Sequence, residues 1–316
     1  MTLINLETCP YPYYHLATSK EEIKEDFRKL TKHEFKTTIR YGKSSFFNVD
    51  LTDYQENADF LRITDYFSEE VRVKCQFADC VTPYDWFQKN REKIIKKFGK
   101  SKASFNAIDS YMWTRIKPCN NFPVMVAMLL YDRLNVNGEK IRTVLDPSSG
   151  WGDRLIGFMA YSYGKKGNFK YQGVDPNLAM QPCYNNMIKT FGGKTKNLSV
   201  KPLPFENFTV EENHYDLVFT SPPFFTLEKY SSDRTQCNVA YNTLDKWLYN
   251  FLYPLVKKAE KALVKNGYLA LYINDFRGNK YVERTKDYIK KNTDLYYQGL
   301  ISWQQKIGRA SCRERV

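Results

Sequence analysis

The sequence predicts an α/β fold built on a doubly wound, mostly parallel sheet, and three observations carry that expectation. From about residue 107 onward, short apolar runs alternate with longer helical patterns, the arrangement that places helices on both faces of a parallel sheet. One of these runs, Thr143-Val144-Leu145-Asp146, opens directly into the glycine-bearing segment Pro147-Ser148-Ser149-Gly150-Trp151-Gly152-Asp153. Another, Tyr215-Asp216-Leu217-Val218-Phe219-Thr220, ends in Ser221-Pro222-Pro223-Phe224, about 70 residues further on, the length of two or three strand–helix units. Sheets of this class hold ligands beyond the carboxyl ends of their strands, where the strand order reverses. Both special segments sit at such ends.

Taken in order, residues 1–105 read as a separate N-terminal extension. A charged helical pattern covers 21–30, a strand pattern covers 46–51, and 61–73 mixes short apolar pieces with charge. The amphipathic spacing of Phe87, Ile94, Ile95 and Phe98 among basic residues predicts a helix over 86–98, stopped by Gly99-Lys100-Ser101-Lys102. Beyond it, a helix over 122–135 begins at Pro123 and closes before Asn137-Gly138. Strands are predicted at 143–145, 170–174, 198–201, 216–220 and 268–274, separated by helices at 154–163, 178–191 and 244–263. The main domain is thus expected over 106–306. The final ten residues, Ile307 to Val316, resemble an in-frame translation of a sequencing-adapter oligonucleotide and are set aside as an artefact, the alternative being a basic tail. On the first reading the native C-terminus is missing.

The chain has 316 residues and a net charge of +13, from 48 basic and 35 acidic residues; without the last ten residues the balance is 45 against 34, or +11. Such an excess favours a polyanionic partner through phosphate neutralisation. Aromatic residues make up 16% of the chain, and most of them are assigned to the core. The seven cysteines form no Cys-x-x-Cys pair and have no histidine nearby, so a metal site is not expected and buried reduced thiols are. With no signal peptide and no apolar run approaching the ~20 residues of a membrane span, a soluble intracellular protein is expected.

Two candidate sites follow from the strand ends. Gly150 and Gly152 permit a tight turn with close backbone approach, although the spacing is not that of a dinucleotide fingerprint. Asp175, which ends Gly173-Val174-Asp175-Pro176 and lies 23 residues after Gly152, suits the acceptor of ribose hydroxyls; capping of the next helix is an equally natural role, and the two can coexist. Ser221-Pro222-Pro223-Phe224 taken by itself is also compatible with a simple proline turn.

The ordered pair of a glycine loop and Ser-Pro-Pro-Phe resembles S-adenosylmethionine-dependent amino-methyltransferases, which modify exocyclic amino groups of adenine or cytosine. Over residues 110–275 the likeness is strongest to enzymes of phages and large DNA viruses carrying Asp-Pro-x-x-Gly-Trp-Gly-Asp and Thr-Ser-Pro-Pro-(Tyr/Phe)-x-x-x-Glu-x-Tyr, which would put the chain in a host cytoplasm or nucleus. The resemblance implies a class I methyltransferase sheet and S-adenosylmethionine as cofactor. Asp146 would lie near its ammonium, with Pro147, Gly150 and Gly152 supplying loop backbone. Glu206, after the third strand, would meet its adenine amino group. Asn121 and Phe122 would cover its methionine end, with ordinary helix capping by Asn121 as the alternative.

On the substrate side, the resemblance implies that Ser221 Oγ and the Pro222 carbonyl accept from the two N–H groups of the target amine, while Pro223 stiffens the loop and Phe224 stacks on the base. The product cation is strongly acidic, so no base is required beforehand and catalysis is mostly positioning. Phe225 and Tyr230 are further stacking candidates, and Glu228 with Lys229 would orient the strand. A duplex target must first leave the stack. DNA is the expected partner ahead of RNA, through either cytosine N4 or adenine N6. An inactive nucleic-acid-binding subunit and a small-molecule or protein-glutamine methyltransferase stay open as other classes. No room exists between the two motifs for an inserted recognition domain. Family sheets end in an antiparallel pair, of which residues 294–304 would supply one strand. Oligomeric state is not legible.

Overall fold

The computed structural model describes residues 3–35, 39–41, 48–51, 58–101, 103–195, 197–276, 278–307 and 310–315. Its centre is a five-stranded, wholly parallel sheet of β1 (Thr143–Asp146), β2 (Lys170–Val174), β3 (Asn197–Lys201), β4 (Tyr215–Thr220) and β5 (Leu263–Leu271). The strands lie in the order β3-β2-β1-β4-β5. The order reverses between β1 and β4, so a crevice opens beyond their carboxyl ends. This is the doubly wound α/β architecture that the alternation of patterns predicts.

Nine helices of nine residues or more surround the sheet among the described residues: α1 (Lys20–Thr31), α2 (Ala58–Arg72), α3 (Pro83–Phe98), α4 (Phe105–Trp113), α5 (Val124–Arg133), α6 (Asp153–Ser162), α7 (Gln181–Phe191), α8 (Tyr253–Ala262) and α9 (Val282–Asn292). Their ends follow local chemistry. Ser19 and Glu22 form a reciprocal capping box at α1, and Thr82 caps α3 ahead of Pro83. Alternate residues of the strands feed two cores: Val144, Tyr171, Leu217 and Phe219 face one, and Leu145, Val174 and Val218 face the other.

The N-terminal elements share the first core. Phe27 of α1 stacks on Phe191 of α7 with ring centroids 4.2 Å apart, and Phe67 of α2 meets the same ring edge-on. That added layer explains why every residue of α6 is buried although the helix carries Asp153 and Arg154.

Several elements depart from the sequence expectation. Residues 61–73 form most of α2, whose inner face buries Phe60 and Ile63 together with Thr64, Ser68, Glu69 and Arg72, so polar groups interrupt the apolar stripe that would have signalled a helix. Helices α4 and α9 are also new; α9 fully buries only Thr285, while Val282 and Tyr288 of its apolar face pack half-buried against the second core. The expected helix over 244–263 is a composite: an α turn at Leu244–Trp247, a wider i→i+5 turn at Leu248–Leu252, then α8. β5 starts at Leu263, five residues earlier than expected, with an irregular register between Leu263 and Tyr268.

The strand expected over 294–304 as part of the sheet's antiparallel pair does not join the central sheet. It runs Leu300–Ile307 and pairs in parallel with Asn48–Leu51 and antiparallel with Ala310–Arg315. A strand pattern fixes a face but not a partner, and here α9 intervenes and the partner comes from the N-terminal part. Of the expected strand at 46–51, Phe46 and Phe47 lie outside the described residues, as do Lys102, Gly308, Arg309 and Val316.

Candidate functional site

A cleft with about 550 Å³ of open space, bulk solvent at its mouth included, occupies the switch point. Its walls come from four strand ends. Pro147, Ser148, Gly150 and Trp151 follow β1; Asp175, Pro176 and Asn177 follow β2; Pro204, Phe205 and Glu206 follow β3; Ser221, Pro223 and Tyr230 follow β4. The segment Thr235-Gln236-Cys237 and Phe251, from the wide turn before α8, complete it.

The glycine loop is held by buried charge. Asp146 is fully buried, and Arg154 donates to both of its oxygens, Nε to Oδ2 at 2.8 Å and Nη2 to Oδ1 at 3.2 Å. The Tyr171 hydroxyl donates to Oδ2 at 2.6 Å and the Ser148 amide to Oδ1 at 3.3 Å. Arg154 also donates to the Ser148 carbonyl, so one guanidinium ties the strand end to the loop. Asp146 is therefore a structural ion pair and lies outside the cleft lining. Its neighbour carboxylate differs. Asp175 accepts from the Gly150 amide at 2.8 Å and the Asn177 amide at 2.9 Å, yet it remains part of the wall. Burial pushes its carboxyl up to about 6.

Gly150 and Gly152 both adopt positive φ, +58° and +95°. At Gly152 a side chain is excluded by α7, because a Cβ would come within 2.6 Å of Met187 Sδ. Its close approach is thus to protein rather than to the cleft. Asn121 and Phe122 also serve the interior: the Asn121 amide donates to Asp65 at 3.1 Å and to Asp153 at 3.3 Å, and the Phe122 N–H donates to Asp153 at 3.1 Å. Burial pushes the Asp153 carboxyl up to about 7.

The Ser-Pro-Pro wall is held from a different direction. Ser221 and Pro223 line the cleft, whereas Pro222 is buried behind it. Phe224 tilts against Tyr272 at 5.5 Å, and Phe225, at φ +38°, is buried on Trp247; neither lines the cleft. The chain then pairs with the N-terminal part: Glu228 and Lys229 pair antiparallel with Phe77 and Gln76, the Ala78 N–H donates to the Leu227 carbonyl at 2.6 Å, and Cys75 Sγ donates to the Tyr230 carbonyl. Glu228 does not face a ligand. Its carboxylate accepts from the Asn120 amide at 3.0 Å and the Tyr230 hydroxyl at 2.6 Å, and burial raises its pKa. Tyr230 so held meets Trp151 edge to face at 5.6 Å.

At the far end, Glu206 is mostly buried, which raises its pKa, and the Tyr241 hydroxyl hydrogen-bonds it. Lys258 of α8 donates to the carbonyls of Phe205, Glu206 and Phe208 at 3.0, 2.5 and 2.9 Å, which fixes this turn. Sequence reasoning missed Trp151, Phe205, Phe251 and Gln236 as wall residues. Trp151 lies inside the glycine-loop motif, but nothing in the pattern marks Gln236 or Phe251, which arrive from distant segments.

Among the described residues, no cluster of three or more His, Cys, Asp or Glu could hold a metal ion. No helix there is long and apolar enough to cross a membrane. No protein-family model and no curated protein sequence matches the chain. Solved structures do. A tRNA (m1A58) methyltransferase from Aquifex aeolicus aligns at 15% identity over 62% of this chain with a TM-score of 0.35. A SAM-dependent methyltransferase from Agrobacterium tumefaciens aligns at 12% over 63% with a TM-score of 0.38. The chain spans 64% and 62% of the lengths of those two proteins. Their activities are their own.

Proposed function

We propose that this chain transfers a methyl group from S-adenosylmethionine to the exocyclic amino group of a DNA base, cytosine N4 or adenine N6. The observation that carries the reading is that Ser221 and Pro223 share one cleft with Ser148, Gly150, Asp175 and Glu206, at the switch point of a doubly wound sheet. The donor set fits an adenosine-bearing cofactor. Asp175 has acceptor capacity left for ribose hydroxyls beyond its two backbone bonds. Glu206 offers an acceptor to an amino group, and Phe205 and Phe251 offer apolar wall on the same cleft. Bound there, the cofactor supplies an electrophilic sulfonium methyl group.

The remaining work belongs to this chain. Ser221 Oγ, on the cleft wall, accepts from a target N–H group, and the Pro222 carbonyl, set behind that wall, takes the second once the base is seated, so that the nitrogen lone pair is drawn out of conjugation. Two successive prolines hold those acceptors in place, so the gain comes from orientation. Tyr230, fixed by Glu228 and facing Trp151, provides the aromatic surface against which an extruded base rests. The excess of basic residues supports a polyanionic substrate.

Methyl transfer from labelled S-adenosylmethionine to duplex DNA, single-stranded DNA and RNA, followed by nucleoside analysis, tests this. We expect N4-methylcytosine or N6-methyladenine in DNA, reduced ~10²-fold in Ser221→Ala and lost in Asp175→Ala. Product in RNA alone moves the substrate class, and no product with intact cofactor binding removes the nucleobase reading.

A further inference from the structure

We propose that Gln236 is a specificity-determining residue: its carboxamide N–H donates to a ring nitrogen of an aminopurine seated beside Glu206. The inference deepens the reading above, since the purine in question is the adenine of the cofactor.

The starting observation is an unmatched donor. Gln236 is only 4% exposed and lines the cleft, and its Nε2 is buried without a hydrogen-bond partner. No other side chain of the lining carries such an atom among the described residues. The backbone around it is pinned, because its N–H donates to the Asp233 carbonyl at 3.1 Å and its own carbonyl accepts from Val239 and Ala240 at 3.0 and 2.9 Å. A buried amide donor left without an acceptor costs free energy. An incoming ligand that brings an acceptor removes that cost.

The surroundings specify the acceptor. Cys237, the next residue, shares the second core with Phe205 and Phe251; burial pushes its thiol up, and the nearby Glu206 carboxylate adds to that. This end of the cleft therefore offers apolar wall, one carboxylate acceptor and one amide donor. An aminopurine presents the complementary set, an exocyclic N–H beside a ring nitrogen. A 6-oxopurine presents a carbonyl oxygen where the carboxylate needs a donor, so the same wall disfavours it.

Calorimetric titration of the intact chain with adenosine, its 1-, 3- and 7-deaza analogues and inosine reads the contact directly. In the wild type, one single-nitrogen deletion should weaken binding about tenfold, and inosine should bind at least as weakly. In Gln236→Met the sensitive analogue should bind as adenosine does, and the inosine penalty set by Glu206 should persist. Equal affinity of the wild type for adenosine and all three deaza analogues overturns the assignment while leaving the cofactor reading intact, and this arm does not depend on any variant folding. Retained sensitivity to the same analogue in a folded Gln236→Met also overturns it. Wild-type protein that binds neither adenosine nor S-adenosylhomocysteine overturns both.

Discussion

The two walls of the cleft are built on different principles. The glycine-loop wall is secured from inside the sheet, by a buried ion pair between Asp146 and Arg154 and by Asp175 reaching back to the Gly150 amide. The Ser-Pro-Pro wall is secured from outside it, by strand pairing with residues 76–77 and by Glu228 clamping Tyr230 and Asn120. The first wall is a property of the parallel sheet itself. The second is borrowed from the N-terminal part of the chain, which gives residues 1–105 a role that their own sequence does not reveal: they hold the surface on which we place the target.

The largest test of this contrast is Arg154→Met. It strands the Asp146 carboxylate in the core, and removing one partner of a buried pair costs about 3–5 kcal/mol. Urea unfolding should show that loss for the molecule as a whole, with cofactor affinity falling alongside. A stable Arg154→Met protein that had lost only its methyl transfer would instead make Arg154 a site residue and erase the distinction.

Tyr230→Phe addresses the other wall. It removes a hydrogen bond to a buried carboxylate, worth about 1.5–3 kcal/mol. The KM for an oligonucleotide should rise about tenfold or more while affinity for S-adenosylhomocysteine is unchanged. Equal losses in both would mean that the walls are mechanically one unit.

The pH dependence sharpens the comparison further. The Asp175 carboxyl sits at about 6, above its ordinary value because it is buried. An acid with a raised folded pKa contributes most to stability below its ordinary pKa, and that contribution fades as pH rises through about 6. Ligand binding runs the other way, because ribose hydroxyls need the ionised acceptor. Affinity for S-adenosylhomocysteine should therefore increase about tenfold between pH 5 and 7, and Asp175→Asn should flatten the profile. The smallest effect belongs to Ala78, which adopts φ +49° where the N-terminal part meets the loop after Phe224. Ala78→Gly relieves that conformation but frees the unfolded chain, so the melting temperature should move by no more than ~2 °C.

The same contrast explains what could be read from the chain alone. Strand ends, glycine turns and proline loops are local, so Pro147, Gly150, Asp175, Glu206, Ser221, Pro223 and Tyr230 were legible, and all of them line the cleft. Asp146 and Asp175 look alike in sequence, each ending a strand before a proline. What separates them is Arg154, in the first turn of the next helix, and Tyr171, on the next strand, and neither announces a charge partner. Glu228, Phe224 and Phe225 had the right residue types but turn to Asn120, Tyr272 and Trp247. Helix α2 escaped notice for a related reason, since buried Thr64, Ser68, Glu69 and Arg72 interrupt the apolar face to which Phe60 and Ile63 belong.

The wide turn at Leu248–Leu252 sets a counting constraint on this protein. It inserts one residue into what is otherwise a single helical rod, so Phe251 faces the cleft while Lys258, two turns later, still reaches the carbonyls of Phe205, Glu206 and Phe208. Letting the rod close into regular helix there with its residue count unchanged would rotate everything beyond it by about 100°. Lys258 would swing away from the turn it braces. Any substitution that lets those five residues relax into regular helix therefore re-phases one end of the cleft against the other.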